Sequence, residues 1–224
     1  MINRYIIGFV LFLCISPSLW ADRLLPVEDF VKQAFPHGVP INVANQYTSA
    51  DSSKLVGLLQ QPANLAYHSN ILETLGFIGD PSATSAVINY IQQGDGGITG
   101  EAFRAKSNAF LSLGYMVNKD GNPAALTYLI DSLDMAVWQQ RDVQWQVAFL
   151  PASVARDLQL MRQAAVGLTL SGHPEAAQAM ASKLSPRNNE RGFSPASGDM
   201  LQEMLRANAE VNSGGLESYL SDSQ

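Results

Sequence analysis

The chain has 224 residues, a formal net charge of -6 and one cysteine, and 46% of its residues are hydrophobic. This hydrophobic fraction argues against wholesale disorder, and a single cysteine excludes an intramolecular disulfide, a CxxC redox pair and a multi-thiolate metal site. Because 20 acidic residues outnumber 14 lysines and arginines, the composition also argues against a nucleic-acid partner.

Residues 1–21 have the pattern of a secretory signal peptide. Arg4 places a positive charge near the N-terminus, and Tyr5 to Ile15 form an apolar run. Pro17 then ends any helix, and Ala21 is the small residue expected before the signal cleavage site. The alternative is an uncleaved anchor. The run is, however, shorter than the roughly 20 apolar residues that a spanning helix needs.

The cysteine belongs to this first segment. Cys14 follows Leu13 inside the apolar run, whereas lipid attachment needs a small residue before the cysteine, so a lipoprotein is disfavoured. We therefore expect an exported protein, periplasmic or secreted, that is not inserted in the membrane after signal cleavage. Its mature chain contains no cysteine.

The next part of the chain divides into an irregular segment and the start of a helical array. Residues 22–50 predict one helix, Val27 to Ala34, and then an extended stretch broken by Pro36 and Pro40. Ser52 to Gln61 predict the second helix of an early helix pair.

Residues 51–184 contain three copies of one pattern, in which an apolar helix ends near a glycine and a polar turn leads through a proline into a second amphipathic helix. The copies are Ile71 to Ile91, Ala109 to Leu133 and Arg162 to Leu184. The glycines are Gly76, Gly114 and Gly167, and the prolines are Pro81, Pro123 and Pro174. Spacings of 42 and 51 residues between the prolines are close to the period of helical-pair repeats.

The turn residues explain where each helix stops and starts. Glycine followed by Asp, Asn or His tolerates the left-handed backbone that ends a helix, and proline suits the first turn of the next one. These dipeptides are Gly79-Asp80, Gly121-Asn122 and Gly172-His173.

The second helices of the three copies share two faces. Positions two, six and ten after each proline are apolar, which predicts a buried stripe at helical spacing. Positions four and eight are polar and form what we call the polar ridge, a candidate binding surface. Its residues are Ser85, Asn89, Thr127, Asp131, Gln178 and Ser182.

The first copy resembles a HEAT repeat of the short bacterial kind, similar to the phycobilisome-lyase-type repeats. The likeness rests on the LG-x-x-GDP core formed by Leu75, Gly76, Asp80 and Pro81, and it covers roughly residues 52–184. It implies an all-α fold, arranged as an α-α superhelix of about four to five helical pairs. It also implies protein binding as the usual function. A tetratricopeptide-like array is the neighbouring alternative, although its period is shorter.

Two departures from the HEAT pattern are visible. The second copy keeps Leu113-Gly114 and Pro123, but four more residues separate them, which predicts a longer turn. The resemblance also implies an arginine in the first helix, and His68 and Lys106 stand at the equivalent positions.

The motifs of catalysis and metal binding do not occur in the sequence. His37, His68 and His173 lack ligand spacing, and His173 shares its turn position with Asp80 and Asn122, which favours a turn role. Gly94 to Gly100 matches neither the GxxxxGK nor the GxGxxG nucleotide-binding pattern. This glycine-rich segment predicts a flexible connection between repeats. We therefore expect no metal, no cofactor and no catalytic residues.

An insertion over residues 134–153 delays the third copy. It carries Trp138, Arg141 and Trp145, and the spacing of seven places both indoles on one side if the segment is helical. Insertions in repeat proteins often form the binding face, and Trp and Arg are common interface anchors. Two alternatives stay open: these residues bind a partner, or the indoles complete the core.

The end of the chain predicts a loop and a closing helix pair. Residues 185–198 are rich in Pro, Asn, Ser and Gly, and residues 199–224 contain two amphipathic stretches around a Gly214-Gly215 turn.

Two functions of different classes are consistent with this sequence. The first is an exported, non-catalytic scaffold or adaptor that binds a protein or peptide partner through the polar ridge and the insertion. The alternative is an enzyme, or its accessory subunit, acting on a cell-envelope polymer or a small ligand. Two carboxylates converging in a deep pocket would favour the enzyme, and a shallow face without such a pair would favour the scaffold.

Overall fold

A computed structural model describes residues 24–150, 152–184 and 197–222. Over these residues the fold is all-α, as the sequence predicts, with two strands of three residues each. The predicted signal peptide and residues 185–196 of the predicted loop lie outside the described residues. The helices are α1 Val27–Phe30, α2 Ile41–Ala44, α3 Ser49–Leu59, α4 His68–Ile78, α5 Thr84–Gln92, α6 Gly100–Asp120, α7 Pro123–Asp131, α8 Met135–Arg141, α9 Ser153–Ser171, α10 Pro174–Lys183, α11 Gly198–Gly214 and α12 Leu216–Asp222. Two short 3-10 helices span Pro62–Tyr67 and Pro81–Ala83.

The three predicted helix pairs form as α4/α5, α6/α7 and α9/α10. Each first helix ends in a glycine with left-handed backbone, and their φ angles are +74°, +72° and +61° at Gly79, Gly121 and Gly172. The residue after each glycine caps the start of the next helix, because its side chain accepts a hydrogen bond from a backbone N–H two or three residues on. These capping residues are Asp80, Asn122 and His173. The predicted turn role of His173 is thereby confirmed.

The first helices pack in chain order, with α4 against α6, α6 against α9, and α9 against α11. Glycines allow this contact. A Cβ atom on Gly114 would lie 2.2 Å from the carbonyl oxygen of Gly167, and one on Gly167 would lie 2.4 Å from that of Phe110. Both glycines lie inside helices, which continue past them to Asp120 and Ser171, so these glycines serve close packing and the left-handed glycines that follow end the helices.

The second helices bury the predicted stripe. Ala125, Leu129 and Leu133, at positions two, six and ten of the second copy, are at most 3% exposed. The equivalent residues of the other two copies are buried as well. The extra four residues of the second copy lengthen helix α6, which runs to Asp120. They do not lengthen the turn that follows it.

The insertion folds as a short helix and a strand rather than as one long helix. After α8, strand β2 (Trp145–Val147) pairs in parallel with β1 (Gly96–Ile98), and Gly96 lies opposite Trp145. The glycine-rich segment predicted as a flexible connection thus contributes a strand, which the sequence alone did not predict.

The chain ends differ from prediction in detail. The predicted helix from Val27 stops at Phe30, and α2 forms after Pro40 where an extended stretch was expected. Helix α3 covers most of the predicted Ser52 to Gln61 segment, and the closing pair α11/α12 is present. Among the described residues, none of the helices combines the length and apolar character that crossing a membrane requires.

Candidate functional site

Three adjoining cavities lie where α4, α6 and α9 end, and their volumes are about 290, 210 and 390 Å³. The first two share Tyr115 and Glu217, and the second and third share Asn118 and Gly215. We call this continuous depression the terminal groove. Its two walls are residues 37–45 and the stretch from Val211 to Ser221.

The N-terminal wall is held to the helices by polar side chains. The Asn70 side chain on α4 donates to the carbonyl oxygens of Val31 and Gln33, at 2.9 and 3.0 Å. The Lys119 ammonium at the end of α6 donates to the side-chain oxygen of Asn45 at 3.0 Å. Because these bonds span 37 to 74 residues of sequence, they fix the irregular segment beside the groove.

The floor of the groove contains an aromatic pair. The rings of Phe77 and Tyr115 stack with centroids 4.6 Å apart and an angle of 15° between their planes. Gly76 makes this possible, since a Cβ atom there would lie 3.0 Å from the Tyr115 ring and 2.8 Å from the Ser112 backbone. A packing glycine in α4 therefore sets the position of Tyr115.

Two carboxylates, Glu73 and Glu217, line the first cavity. Burial raises the pKa of Glu73 to about 6, and the backbone N–H of Val39 opposes that shift. Burial, with the Glu73 charge nearby, also raises the pKa of Tyr115. The groove thus presents oxygen acceptors in a partly desolvated setting, which suits ligands that carry N–H donors or positive charge.

The insertion side chains predicted to bind a partner lie elsewhere. Trp138 and Trp145 are 1% and 0% exposed, and their indole N–H groups donate to the carbonyl oxygens of Ser132 and Ile91. The core alternative therefore describes these two residues, and they present no surface to a partner.

Arg141 is also engaged within the chain. Its guanidinium donates to the Ser132 hydroxyl at 2.7 Å and lies over the rings of Tyr128 and Trp138, 4.1 and 4.6 Å from their centroids. Burial lowers its pKa. These contacts place Arg141 in the packing of α7 against α8 and not on an open binding face.

The polar ridge is exposed as predicted. Ser85 and Asn89 on α5, and Thr127 and Asp131 on α7, all face solvent, as do Gln178 and Ser182 on α10. None of these residues lines the cavities of the terminal groove. The ridge and the groove are therefore separate surfaces of the described chain.

Sequence reasoning missed two buried cations that hold the insertion. Lys106 donates to the carbonyl oxygens of Tyr90, Ile91 and Gln93, at 2.6, 3.3 and 2.7 Å, which caps the end of α5. Its ammonium lies 5.1 Å from the ring centroids of both Tyr90 and Trp145. The resemblance flagged this position, because Lys106 stands where the HEAT pattern has an arginine.

Arg156 is the second cation. It forms a buried ion pair with Asp157 at 2.8 Å and donates to the carbonyl oxygens of Val143 and Trp145, at 2.8 and 2.7 Å. No sequence motif marks it, because its partners are backbone atoms of a segment with no periodic pattern.

The described residues contain no group of three or more His, Cys, Asp or Glu side chains placed to hold a metal ion. No protein-family model matches this chain, and no match is found among curated proteins or solved structures.

Proposed function

We propose that this protein is an exported, non-catalytic HEAT-like scaffold or adaptor that binds a protein or peptide partner in the terminal groove. The observation that carries the proposal is the groove itself, which runs across the ends of three successive first helices and offers aromatic and polar side chains. Peptide-binding surfaces combine these two kinds of side chain, since they must exclude water and still pair with backbone groups.

The packing order supports the HEAT-like part of the proposal. Each first helix contacts the next first helix, and in the second row α7 contacts both α5 and α10. Contact between successive helix pairs is the arrangement on which α-solenoids are built. Gly76, Gly114 and Gly167 occupy equivalent points of the three copies, and they lie at the α4/α6 and α6/α9 crossings.

Export rests on the sequence of residues 1–21, which carries the charge, apolar run and small residue of a signal peptide. A partner in the cell envelope follows from that expectation. Fractionation of cells that express the tagged chain tests it, because export takes the protein out of the cytoplasm and cleavage shortens it.

The second candidate is an enzyme or accessory subunit acting on an envelope polymer or small ligand. Glu73 favours it, because a carboxyl group in a cavity with a pKa of about 6 is typical of general acids. Against it, burial accounts for that shift while Val39 opposes it, and Glu217, the other carboxylate that lines the cavity, is exposed.

Site-specific photo-crosslinking in envelope extract distinguishes the surfaces. A photoreactive amino acid replaces Asn42 in the wall of the groove or Thr127 on the polar ridge, and both positions are exposed. We expect a discrete crosslinked partner from position 42 and none from position 127. Crosslinks from position 127 alone would move the site to the ridge, and their absence from both positions would contradict the scaffold function.

A further inference from the structure

The first cavity of the terminal groove has an excess of negative charge. Glu73 from α4 and Glu217 from α12 line it, and His37 is the titratable group on the facing segment. Among the described residues that line the three cavities, the one lysine or arginine is Lys119, which lines the second cavity and donates to Asn45. The cavity therefore favours a positively charged occupant.

A buried tyrosine gives a second, independent sign of a ligand. Tyr115 is 5% exposed and lines this cavity, yet its hydroxyl forms no hydrogen bond within the described parts of the chain. The other buried tyrosine hydroxyls behave differently, because those of Tyr47, Tyr90 and Tyr128 each have a partner. The Tyr115 hydroxyl is thus left to pair with whatever occupies the cavity, water or a bound molecule.

We propose that the first cavity binds the guanidinium group of an arginine side chain in the peptide partner. A guanidinium has five N–H donors in a planar fork, and the cavity offers acceptors on separate elements in Glu73, Tyr115 and Glu217. This assignment rests on the proposed function and adds the chemical class that the groove selects.

The continuation of the groove identifies a peptide as the source of that group. Beyond Tyr115 the second and third cavities extend the depression past Asn118 to Pro174. A free amine would fill the first cavity alone. A peptide places its arginine there and runs its backbone along the remaining length.

The test titrates three probes into the purified chain and measures their binding by NMR. The first probe is acetyl-Gly-Arg-Gly-amide, and the second replaces arginine by citrulline, which keeps the shape and removes the charge. Spermidine is the third probe and stands for a free polyamine. The variants are Glu217→Gln and Tyr115→Phe, and the matched control is Glu175→Gln, an exposed glutamate on α10 outside the groove.

We expect saturable binding of the arginine peptide and none of the citrulline peptide. Glu217→Gln weakens binding about tenfold and Tyr115→Phe about fivefold, because each removes a charge-assisted hydrogen bond, and Glu175→Gln leaves it unchanged. Tyr115→Phe keeps the stacked ring, so its thermal stability should match that of the wild type.

Equal binding of the arginine and citrulline peptides would overturn the assignment, as would binding of spermidine alone. The scaffold function fails by a different result, which is the absence of crosslinks from both position 42 and position 127. A partner that crosslinks there while the arginine peptide does not bind would leave the scaffold function standing and remove the guanidinium site.

Discussion

The row of first helices and the described part of the insertion over residues 134–153 differ in how their segments meet. In the row, α4, α6 and α9 approach one another at glycines, where backbone lies against backbone. In the insertion, indoles and cations bind carbonyl oxygens, as Arg156 does with Val143 and Trp145. The close crossings of the row therefore depend on missing Cβ atoms, and the insertion depends on specific polar side chains.

The largest expected effect comes from adding one methyl group to the row. Gly114→Ala places a Cβ atom 2.2 Å from the Gly167 carbonyl oxygen, where backbone must move, so we expect a loss of more than about 4 kcal/mol or failure to fold. Urea unfolding followed by circular dichroism measures it. The matched control is Gly57→Ala in α3, where nothing lies within 4 Å and stability should rise by about 0.5–1 kcal/mol.

The glycines also show how far sequence reasoning reaches. The helix pairs, their turns and the buried stripe follow from periodicity and from turn chemistry, both of which act within a few residues. The role of Gly114 does not, because a glycine near a helix end and a glycine at a helix crossing look the same in one sequence. Only the position of α9 distinguishes them.

The candidate site was beyond prediction for a related reason. Its walls come from residues 37–45 and from the last helix, which no local pattern connects, and no sequence motif marks Glu73. Strands β1 and β2 are too short to show an alternating pattern, and 46 residues separate Ile98 from Trp145. A single sequence does not show which of its distant segments pair.

The second effect tests whether the insertion is core. Trp145→Ala removes a fully buried indole that packs against Phe103, so we expect a loss of about 3–5 kcal/mol in unfolding free energy. Gln140→Ala, at an exposed position of α8, is the control and should be nearly neutral. A melting temperature unchanged by Trp145→Ala would restore the binding alternative for that residue.

Arg156→Met measures the contribution of polar anchoring. It leaves Asp157 buried without its partner and frees two carbonyl oxygens, so a loss of about 3 kcal/mol is expected. Arg206→Met is the exposed counterpart, because that arginine pairs with Glu203 at the surface and should contribute less than about 0.5 kcal/mol. Similar losses in both variants would contradict the contrast between buried and exposed pairs.

Lys106 adds a pH dependence on the side of the insertion. Burial lowers its pKa from 10.5 to about 8, so the unfolded state binds more protons between these values and stability rises with pH across that window. We expect a gain of up to about 2 kcal/mol between pH 8 and 9.5. Lys106→Met should lack this rise, and a slope equal to that of the wild type would assign it to other groups.

Glu73 on α4 gives a pH dependence of the opposite sign to that of Lys106, because burial disfavours its charged form. Its pKa rises from 4.5 to about 6 on folding, so the folded state binds more protons in this window and stability falls as pH increases through it. Glu73→Gln removes that penalty, and we expect a gain of about 1–2 kcal/mol at pH 7.5 but none at pH 4.5.

Thermal unfolding of Glu73→Gln at these two pH values, with Glu175→Gln as control, measures the difference. The two substitutions should have opposite signs. Removing the Arg156 charge, which anchors the insertion from α9, should destabilise the chain, whereas removing the Glu73 charge from α4 should stabilise it at pH 7.5. A loss of stability at pH 7.5 would mean that the Glu73 carboxylate anchors the N-terminal segment through Val39. The Glu73 carboxylate would then stabilise the fold as the Arg156 guanidinium does, and the contrast in sign between these two charges would be lost.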